Sequence, residues 1–313
     1  MKILENRITV VVPTFNRLPM LREAIESLQR QTLENFNILI LDNCSNDGTK
    51  DYLENLVWHR GNLKIVSRTN NIGYSQNLLD GIARVTTEFT AFLSDDNIYG
   101  KNQLRELYDG ILSRDSATIA FAAHSLIDEN GLINETRTIL NNNAYGRTQK
   151  LPKNISNRKI TRLEICKKII SIDCVLVYTK QLQSAVKIEQ HAMEHTLFSQ
   201  YLLLGGEAIY ISKLLLNYRM NSLGMSQSTI HKQEFSQFLI SSYINFLYKN
   251  ELNFFNRKAI ERELLIAKYN LYRSGLGSLF DLVVKRPNVF NAFKFSILLK
   301  VISLSVIRQK HKL

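Results

Sequence analysis

The 313-residue sequence has few cysteines and no long apolar run, and both shortages limit what the protein can be. Its three cysteines, Cys44, Cys166 and Cys174, have neither metal-ligand nor disulfide spacing, which is typical of a chain in a reducing cytoplasm. The first apolar run, residues 8–12, is too short for the hydrophobic segment of a signal peptide, so we expect no export. The lack of low-complexity tracts and repeats argues against disordered and repeat proteins.

What is present is the composition of a soluble globular protein, with 45% hydrophobic and 22% charged residues. The length suits one large α/β domain plus an appendage. The net charge of +12 lies mostly near the C-terminus, where residues 249–313 contain 13 Lys and Arg against 4 Asp and Glu. We therefore expect a basic appendage that faces an anionic partner, and no nucleic-acid groove across the main domain.

Apolar runs rich in β-branched residues alternate with amphipathic helical patterns in the first hundred residues. The runs cover residues 8–12, 36–42, 63–67 and 90–94, and the helical patterns cover residues 18–31, 49–58 and 74–86. Such alternation predicts a mostly parallel sheet flanked by helices. Ligands of this architecture gather at the carboxyl ends of the strands, so the loops that follow the strands are the informative ones.

The second and fourth of these loops begin with carboxylates that turn chemistry explains poorly. Asp42 ends an apolar run, and a carboxylate at the buried end of a strand is costly unless something pairs with it. Asp95 and Asp96 follow the fourth run side by side, where like charges repel each other and a divalent cation would relieve the repulsion. The alternative interpretation is a solvated acidic turn.

Four motifs occur in order along these loops: "PTFNR" at 13–17, "DNCSNDGT" at 42–49, "NNIGYSQN" at 70–77 and "SDDN" at 94–97. Each alone also fits a turn or a helix cap. Together they resemble the nucleotide-sugar half of the GT-A glycosyltransferases, in particular the inverting glycosyltransferase family 2, over residues 8–226. The resemblance implies a Rossmann-like GT-A fold with a mixed, mostly parallel sheet.

The resemblance also implies a role for individual residues. Asp96 would bind a divalent metal, Mn²⁺ or Mg²⁺, on the donor diphosphate, and Asp42 and Asp95 would hold the base and the ribose hydroxyls. Pro13, Thr14, Asn16 and Arg17 would line the uracil or ribose end, and Asn43 would contact the pyrimidine edge. Asn43 stands where the family usually has aspartate, which weakens a strict preference for uracil. The full set of implied nucleotide-sugar residues is Pro13, Thr14, Asn16, Arg17, Asp42, Asn43, Gly73, Asn77, Asp95 and Arg219.

The acceptor side resembles the family in residues 191–212, where a Glu–Asp pair usually opens a helix. Here the pair is Glu194 and His195, so histidine stands at the position of the family's usual base. Either side chain could accept the proton of the acceptor hydroxyl, because imidazole titrates near neutral pH. Asp173 is a third, more distant alternative, and Glu194 and His195 could also be ordinary first-turn residues of a helix.

The segment at 216–226 resembles the part of the family that closes over the diphosphate. Tyr218 and Arg219 could lie against the leaving group, with Asn221 near the usual histidine and Gly224 in a flexible loop. The alternative is that Arg219 is a surface residue in a connector. This boundary predicts a catalytic domain at residues 1–228 and a basic helical region at residues 229–313.

The C-terminal region carries helical patterns with apolar faces flanked by Lys and Arg. Its last apolar stretch, residues 295–307, is too short to span a bilayer but suits a helix lying in an anionic lipid interface. These helices could instead simply pack on the catalytic domain. The expected partners are a nucleotide-sugar donor, such as a UDP-sugar, and a glycan acceptor, which many bacterial relatives carry on a polyprenyl diphosphate for O-antigen or capsule synthesis. The expected location is the cytoplasm, with peripheral binding to the inner face of the membrane.

Two other functions fit parts of the pattern. A non-catalytic or degenerate GT-A protein that binds nucleotide or membrane as an assembly factor would explain Asn43 and His195. A nucleotidyltransferase would normally need a Gly-rich phosphate loop with a lysine after the first strand, and "PTFNR" has none.

Overall fold

A computed structural model describes residues 6–156, 159–162, 169–189, 194–220 and 229–273 of the chain. Strands and helices alternate through the first half, as the apolar pattern predicts. The strands are β1 (Ile8–Thr14), β2 (Asn37–Asp42), β3 (Leu63–Ser67), β4 (Phe89–Phe92), β5 (Ile98–Tyr99), β6 (Ala117–Ile127), β7 (Asn154–Ser156), β8 (Val175–Tyr178) and β9 (Glu207–Arg219).

Nine helices have both ends within the described residues, and residues 159–162 are helical as well. They are α1 (Leu18–Gln29), α2 (Thr49–Glu54), α3 (Tyr74–Arg84), α4 (Gln103–Leu112), α5 (Glu135–Ala144), α6 (Thr179–Ile188), α7 (Glu194–Leu203), α8 (Thr229–Lys249) and α9 (Phe254–Arg273). A short 3₁₀ turn, Ile172–Cys174, precedes β8.

All the described strands belong to one mixed sheet in the order β3-β2-β1-β4-β8-β6-β9-β5, with β7 paired to β9. The four strands β1 to β4 are parallel to one another. Strand β8 is antiparallel to both β4 and β6, and β9 runs parallel to β6. The carboxyl ends of β1, β2 and β4 therefore meet at one edge of the sheet.

Alternation along the strands divides the core into two layers. In β1, Val10 and Val12 face the layer that contains α1 and α4, whereas Val11 faces the layer that contains α3, α6 and α7. Strand β2 alternates in the same way, because successive side chains of a strand point to opposite faces. The result is a three-layer α/β/α arrangement that buries a long β sheet on both sides.

The predicted fold class is confirmed: a mostly parallel sheet is flanked by helices, and helices α8 and α9 follow it. These two helices share a small apolar cluster around Tyr243, Phe246 and Ile260 that also contacts Leu203 of α7. The last amphipathic pattern, residues 291–313, lies outside the described residues. No helix in the ranges that the structure describes is both long enough and apolar enough to cross a membrane.

Strand β6 carries a buried histidine that the sequence pattern does not predict. His124 is only 4% exposed and stacks on the ring of Tyr218 at a centroid distance of 5.2 Å. Its Nε2 lies 3.3 Å from Nη2 of Arg147, which is buried as well. Burial, with the adjacent guanidinium, lowers the pKa of His124 from 6.5 to about 3. The fold therefore requires this imidazole to be neutral.

This pKa shift makes stability depend on pH. Between pH 6.5 and 3 the unfolded chain protonates His124 and the folded chain does not, so the free energy of unfolding falls as the pH is lowered through this range. One such group contributes at most about 1.4 kcal/mol per pH unit. Urea denaturation at pH 7, 6 and 5 should show this slope in the wild type and a smaller slope in His124→Phe.

Exposed His59 supplies the control. The variant His59→Gln should keep the wild-type pH dependence, because the side chain of His59 lies at the surface. Identical slopes for the wild type and His124→Phe would show that the pKa of His124 is not lowered by folding.

Candidate active site

The carboxyl ends of the first three strands present polar residues side by side. Across the strand pairs, Thr14 is opposite Asp42, and Asp42 is opposite Ser67. Thr14 and Asp42 are 3% and 2% exposed, and Asp42 accepts a hydrogen bond from the backbone N–H of Ser45 at 3.1 Å. The buried carboxylate of Asp42 is therefore hydrogen-bonded within the loop that follows β2. This bond offsets part of the cost of burying its charge.

The first and second loops are joined by hydrogen bonds. Asn16 donates its backbone N–H to Oγ of Ser45 at 2.9 Å, and its side-chain oxygen accepts from the N–H of Asn46 at 2.8 Å. Asp47 accepts from the N–H of Leu18 at 2.9 Å and so satisfies the first turn of α1. Asn16 has a φ of 51°, a left-handed conformation that asparagine tolerates better than most residues.

The second loop is joined to the third through Asn43. Its side-chain nitrogen donates to Oδ1 of Asn71 at 2.7 Å, and its oxygen accepts from the N–H of Ile72 at 3.0 Å. Gly73 follows with a φ of 82° and begins α3, and a Cβ there would meet no atom within 4 Å. The expected contact of Asn43 with a pyrimidine edge stays a prediction, because in this structure both ends of its amide bind the third loop.

Asn77 fastens α3 to the same edge. The residue is 1% exposed, and its nitrogen donates to the carbonyl of Leu41 at 3.0 Å while its oxygen accepts from Nε of Arg68 at 2.7 Å. The backbone N–H of Arg68 in turn donates to the carbonyl of Asp42. Asn77 therefore holds the third loop in place.

The fourth loop holds a guanidinium between two carboxylates. Nη1 of Arg17 lies 3.2 Å from Oδ1 of Asp95 and 2.9 Å from Oδ2 of Asp96. Asp95 also accepts from the backbone N–H of Phe15 at 3.3 Å. The side chains of Arg17, Asp95 and Asp96 are 27%, 7% and 16% exposed. The motif "PTFNR" is thus tied directly to "SDDN".

Burial dominates the electrostatics of this triad. It raises the pKa of Asp95 from 3.8 to about 6, opposed by Arg17 and assisted by Asp96. Burial by itself would lower the pKa of Arg17, but the two carboxylates outweigh it and the pKa is raised. Within this triad one guanidinium faces two carboxylates.

Asp173 supports the fourth loop from behind. Its carboxylate accepts hydrogen bonds from the N–H and Oγ of Ser94, at 2.6 and 3.0 Å, and from Nδ2 of Asn97 at 2.6 Å. Asp173 is 2% exposed. A buried carboxylate committed to three donors is a poor proton acceptor, so we interpret Asp173 as a residue that positions Asp95 and Asp96.

Arg219, at the end of β9, is also bound to this loop. Its backbone N–H donates to Oδ1 of Asn97 at 2.8 Å, and its Nε donates to the carbonyl of Asp96 at 3.0 Å. The rest of the guanidinium contacts the carbonyl of Glu129 at 2.8 Å and the carboxylate of Glu23 at 2.5 Å. With a side chain 2% exposed, Arg219 is not the surface residue of the alternative interpretation.

The donor set of the fourth loop fits a divalent cation. Carboxylate oxygens are the ligands that Mg²⁺ and Mn²⁺ prefer, and such ions are commonly held by one or two carboxylates plus substrate phosphates. Asp96 and Asp95 offer that chemistry beside Arg17. Within the described residues, no group of three or more His, Cys, Asp and Glu side chains is placed so that it could hold a metal ion, so the rest of the coordination would come from the substrate.

The expected base lies at the start of α7, which begins at Glu194. The side chains of Glu194 and His195 are outside the described residues, as are Asn221 and Gly224, so their roles stay predictions. The rest of α7 is held firmly, because Leu197, Phe198 and Tyr201 are buried in the core.

Sequence reasoning brought the right loops together but missed how they are connected. It placed Arg17 at the nucleoside end and assigned the relief of charge repulsion to a metal, whereas Arg17 lies between the two carboxylates. It gave Ser94 and Asn97 no role. The available signal was the polar run "SDDN" itself, in which four consecutive polar residues follow a buried strand.

Comparison with known proteins decides the family. The sequence profile described as Glycosyl transferase family 2 matches residues 9–168, which is just over half of the chain. The chain belongs to glycosyltransferase family 2. The match contains all four loop motifs, so the predicted family is confirmed.

Curated relatives are similar to this chain over part of their length only. A Campylobacter jejuni protein named GalNAc(5)-diNAcBac-PP-undecaprenol beta-1,3-glucosyltransferase is 34% identical over 108 residues, which are 34% of this chain and 32% of that protein. A Bacillus subtilis putative teichuronic acid biosynthesis glycosyltransferase, TuaG, is 24% identical over 40% of this chain and 49% of its own. The chain thus spans about a third to a half of these two relatives.

Solved structures agree with the fold. S. aureus TarS in complex with UDP-GlcNAc has a TM-score of 0.60 and 16% identity over 89% of this chain and 76% of its own. The Pyrobaculum calidifontis mannosyltransferase PcManGT, in complex with GDP-Man and Mn²⁺, has a TM-score of 0.57 and 12% identity over 97% of this chain and 81% of its own. At these identities the likeness shows the GT-A fold alone.

The support that Asp173 gives to the fourth loop can be measured as stability. Asp173→Asn should lower the free energy of unfolding by roughly 2–4 kcal/mol, because an amide cannot accept from three donors as a carboxylate does and leaves buried donors unpaired. Urea denaturation measures this difference. Asp109→Asn, at an exposed position on α4, is the control and should leave stability within about 0.5 kcal/mol of the wild type. A loss as small as the control's would contradict the assignment.

Proposed function

We propose that the protein transfers a sugar from a nucleotide-diphosphate sugar, in the expected case a UDP-sugar, to a glycan acceptor with inversion at the anomeric carbon. The observation that supports this most directly is the hydrogen-bonded set of four loops at one sheet edge, with Arg17 between Asp95 and Asp96. Family membership supports the reaction class. Residues 1–228 are proposed as the catalytic domain.

The donor would lie across the ends of β1, β2 and β4. Thr14, Asn16 and Asp42 would face the nucleoside, because their loops end neighbouring strands, and Asp95 would hold the ribose hydroxyls. The diphosphate would lie near Asp96 and Arg17, where a guanidinium offers charge-assisted hydrogen bonds. A divalent metal held by Asp96 would supply Lewis-acid neutralisation of the departing diphosphate.

The acceptor hydroxyl must lose a proton as it attacks the anomeric carbon from the face opposite the leaving group. We propose that the Glu194 carboxylate or the His195 imidazole takes this proton at the start of α7. Arg219 would act by holding the carbonyl of Asp96, and so the fourth loop, in place.

The acceptor is proposed to be a lipid-linked oligosaccharide of bacterial surface polysaccharide synthesis. The printed name of the C. jejuni relative, which contains PP-undecaprenol, supports this, and so does the excess of Lys and Arg after residue 248. The proposed location is the cytoplasm, with the region 229–313 at the inner face of the membrane.

Removal of the carboxylate at position 96 should abolish transfer while the fold persists. Asp96→Asn should lower kcat/KM by about 100-fold or more, the size of effect seen when one electrostatic stabiliser of the reacting centre is lost. UDP-sugar binding should also lose its dependence on Mn²⁺ in calorimetry. Exposed Asp109→Asn is the charge-matched control and should behave as the wild type.

Equal, metal-dependent binding by the wild type and Asp96→Asn would remove the role of Asp96. Nucleotide binding without any transfer in the wild type, for every UDP-sugar and lipid-linked acceptor offered, would favour a degenerate assembly factor instead.

The base can be identified from the pH dependence of two variants. In the variant of the true base, Glu194→Gln or His195→Gln, kcat/KM should fall by about 100-fold or more, and the other variant should stay within about tenfold of the wild type. If His195 is the base, wild-type activity should fall below about pH 6.5, whereas a glutamate base would hold activity to a lower pH. Near-wild-type activity in both variants would exclude the pair.

A further inference from the structure

A recess lies at the opposite edge of the sheet, where β7 ends and helix α9 begins. Its volume is about 250 Å³, slightly below the roughly 300–1,000 Å³ of pockets that enclose drug-sized ligands, which suits a phosphate group or a single sugar. Six described residues line it: Ser156, Lys159, Arg162, Asn253, Phe255 and Asn256. None of them belongs to the nucleotide-sugar motifs.

The recess carries two positive charges that the described residues do not neutralise. Lys159 and Arg162 are exposed, and neither forms an ion pair within the described part of the chain. The guanidinium of Arg162 lies over the ring of Phe255, with its carbon 4.8 Å from the ring centroid. This cation–π contact fixes the guanidinium plane while leaving its edge available for an oxyanion.

One lining residue of the recess has a buried amide without a protein partner. Asn256 is 1% exposed, and neither Oδ1 nor Nδ2 has a hydrogen-bond partner within the described residues. Buried amides are nearly always hydrogen-bonded in native proteins. Because Asn256 lines the recess, a polar ligand that enters it is the natural source of the missing bond.

The start of α9 contributes further to an anionic preference. Asn253 accepts from the backbone N–H of Asn256 at 3.0 Å, as an N-cap does, and the 20-residue helix runs away from the recess. The positive end of the helix dipole therefore lies beside Lys159 and Arg162.

This recess is far from the proposed donor site. Ser156 of β7 pairs with Glu207 at the beginning of β9, whereas Arg219 at the end of β9 contacts the fourth loop. Strand β6 covers the same interval, from Ala117 opposite Glu207 to Ile127 opposite Arg219, and its 11 residues extend about 33 Å at roughly 3.3 Å per residue. A diphosphate bound at Asp96 cannot reach the recess, so its ligand is a different molecule or a distant part of the acceptor.

We propose that this recess is a second, phosphate-binding site, in which Lys159 and Arg162 bind the phosphate oxygens and the amide of Asn256 completes the contact. The proposal does not depend on the transfer reaction. The phosphate can come from the headgroup of an anionic lipid, which exposed Phe254 and Phe255 beside the recess would suit, or from a soluble phosphorylated glycan.

Calorimetry with inorganic phosphate tests the site. The double variant Lys159→Gln/Arg162→Gln should bind phosphate at least about tenfold more weakly than the wild type, because two charge-assisted contacts are lost. The matched control is Lys101→Gln/Arg137→Gln, which removes two exposed positive charges elsewhere and should bind as the wild type does. Phosphate affinity in the recess variant equal to that of the control would overturn the proposal.

A second variant keeps the test independent of net charge. Asn256→Leu keeps the number and branching of the side-chain heavy atoms and removes the unpaired amide, so its Tm without phosphate should equal or exceed that of the wild type. Its phosphate affinity should fall at least about threefold if the amide contacts the ligand. An unchanged affinity in this folded variant would also overturn the proposal.

Vesicle sedimentation distinguishes the two possible sources of the phosphate, a lipid headgroup and a soluble phosphorylated glycan. Phosphatidylcholine vesicles with and without phosphatidylglycerol should be offered to the wild type, the recess variant and the control. Loss of binding to the anionic vesicles in the recess variant, together with its loss of phosphate affinity, supports the site and assigns it to a lipid headgroup. Retained vesicle binding with lost phosphate affinity supports the site and assigns it to a soluble phosphorylated glycan.

Discussion

The contact of Arg17 with Asp95 and Asp96 is the interaction on which the rest of the site depends. Two adjacent carboxylates at the buried end of β4 would repel each other, and burial already raises the pKa of Asp95 to about 6. The guanidinium opposes this penalty and joins the loop after β1 to the loop after β4. Asp173 and Arg219 bind the backbone of the fourth loop. They thereby keep the two carboxylates within hydrogen-bonding distance of Arg17.

One guanidinium cannot neutralise two carboxylates, and this imbalance has a chemical consequence. When both are ionised these three side chains together carry a net negative charge, which would suit the divalent cation of the proposed donor site. Such a cation would share carboxylate oxygens with Arg17, whose side chain is 27% exposed and thus able to move. Arg17 would then turn its free N–H groups toward an incoming diphosphate.

The sequence predicted the first half of the fold well because its signals are local. The apolar runs ending at Asp42 and near Asp95 and the amphipathic patterns between them each need only a few neighbouring residues to be recognised, and parallel strands then bring their loops together. The position of β8 between β4 and β6 is not local, since the short run Val175–Tyr178 has no signal for its neighbours. Pairings such as Arg17 with Asp95 or Asp173 with Ser94 join residues nearly 80 positions apart and require the folded chain.

Strand β9 determines the distance between the fourth loop and the recess. It pairs with β6 along its length, with β7 at its beginning and with β5 at its end, so its ends cannot move independently without breaking ladder hydrogen bonds. The loop held by Arg219 and the recess beside Ser156 therefore stay at a nearly fixed separation. A ligand in the recess can act on transfer by holding an extended acceptor or by orienting the protein on a surface, but one short diphosphate-linked sugar cannot occupy both sites.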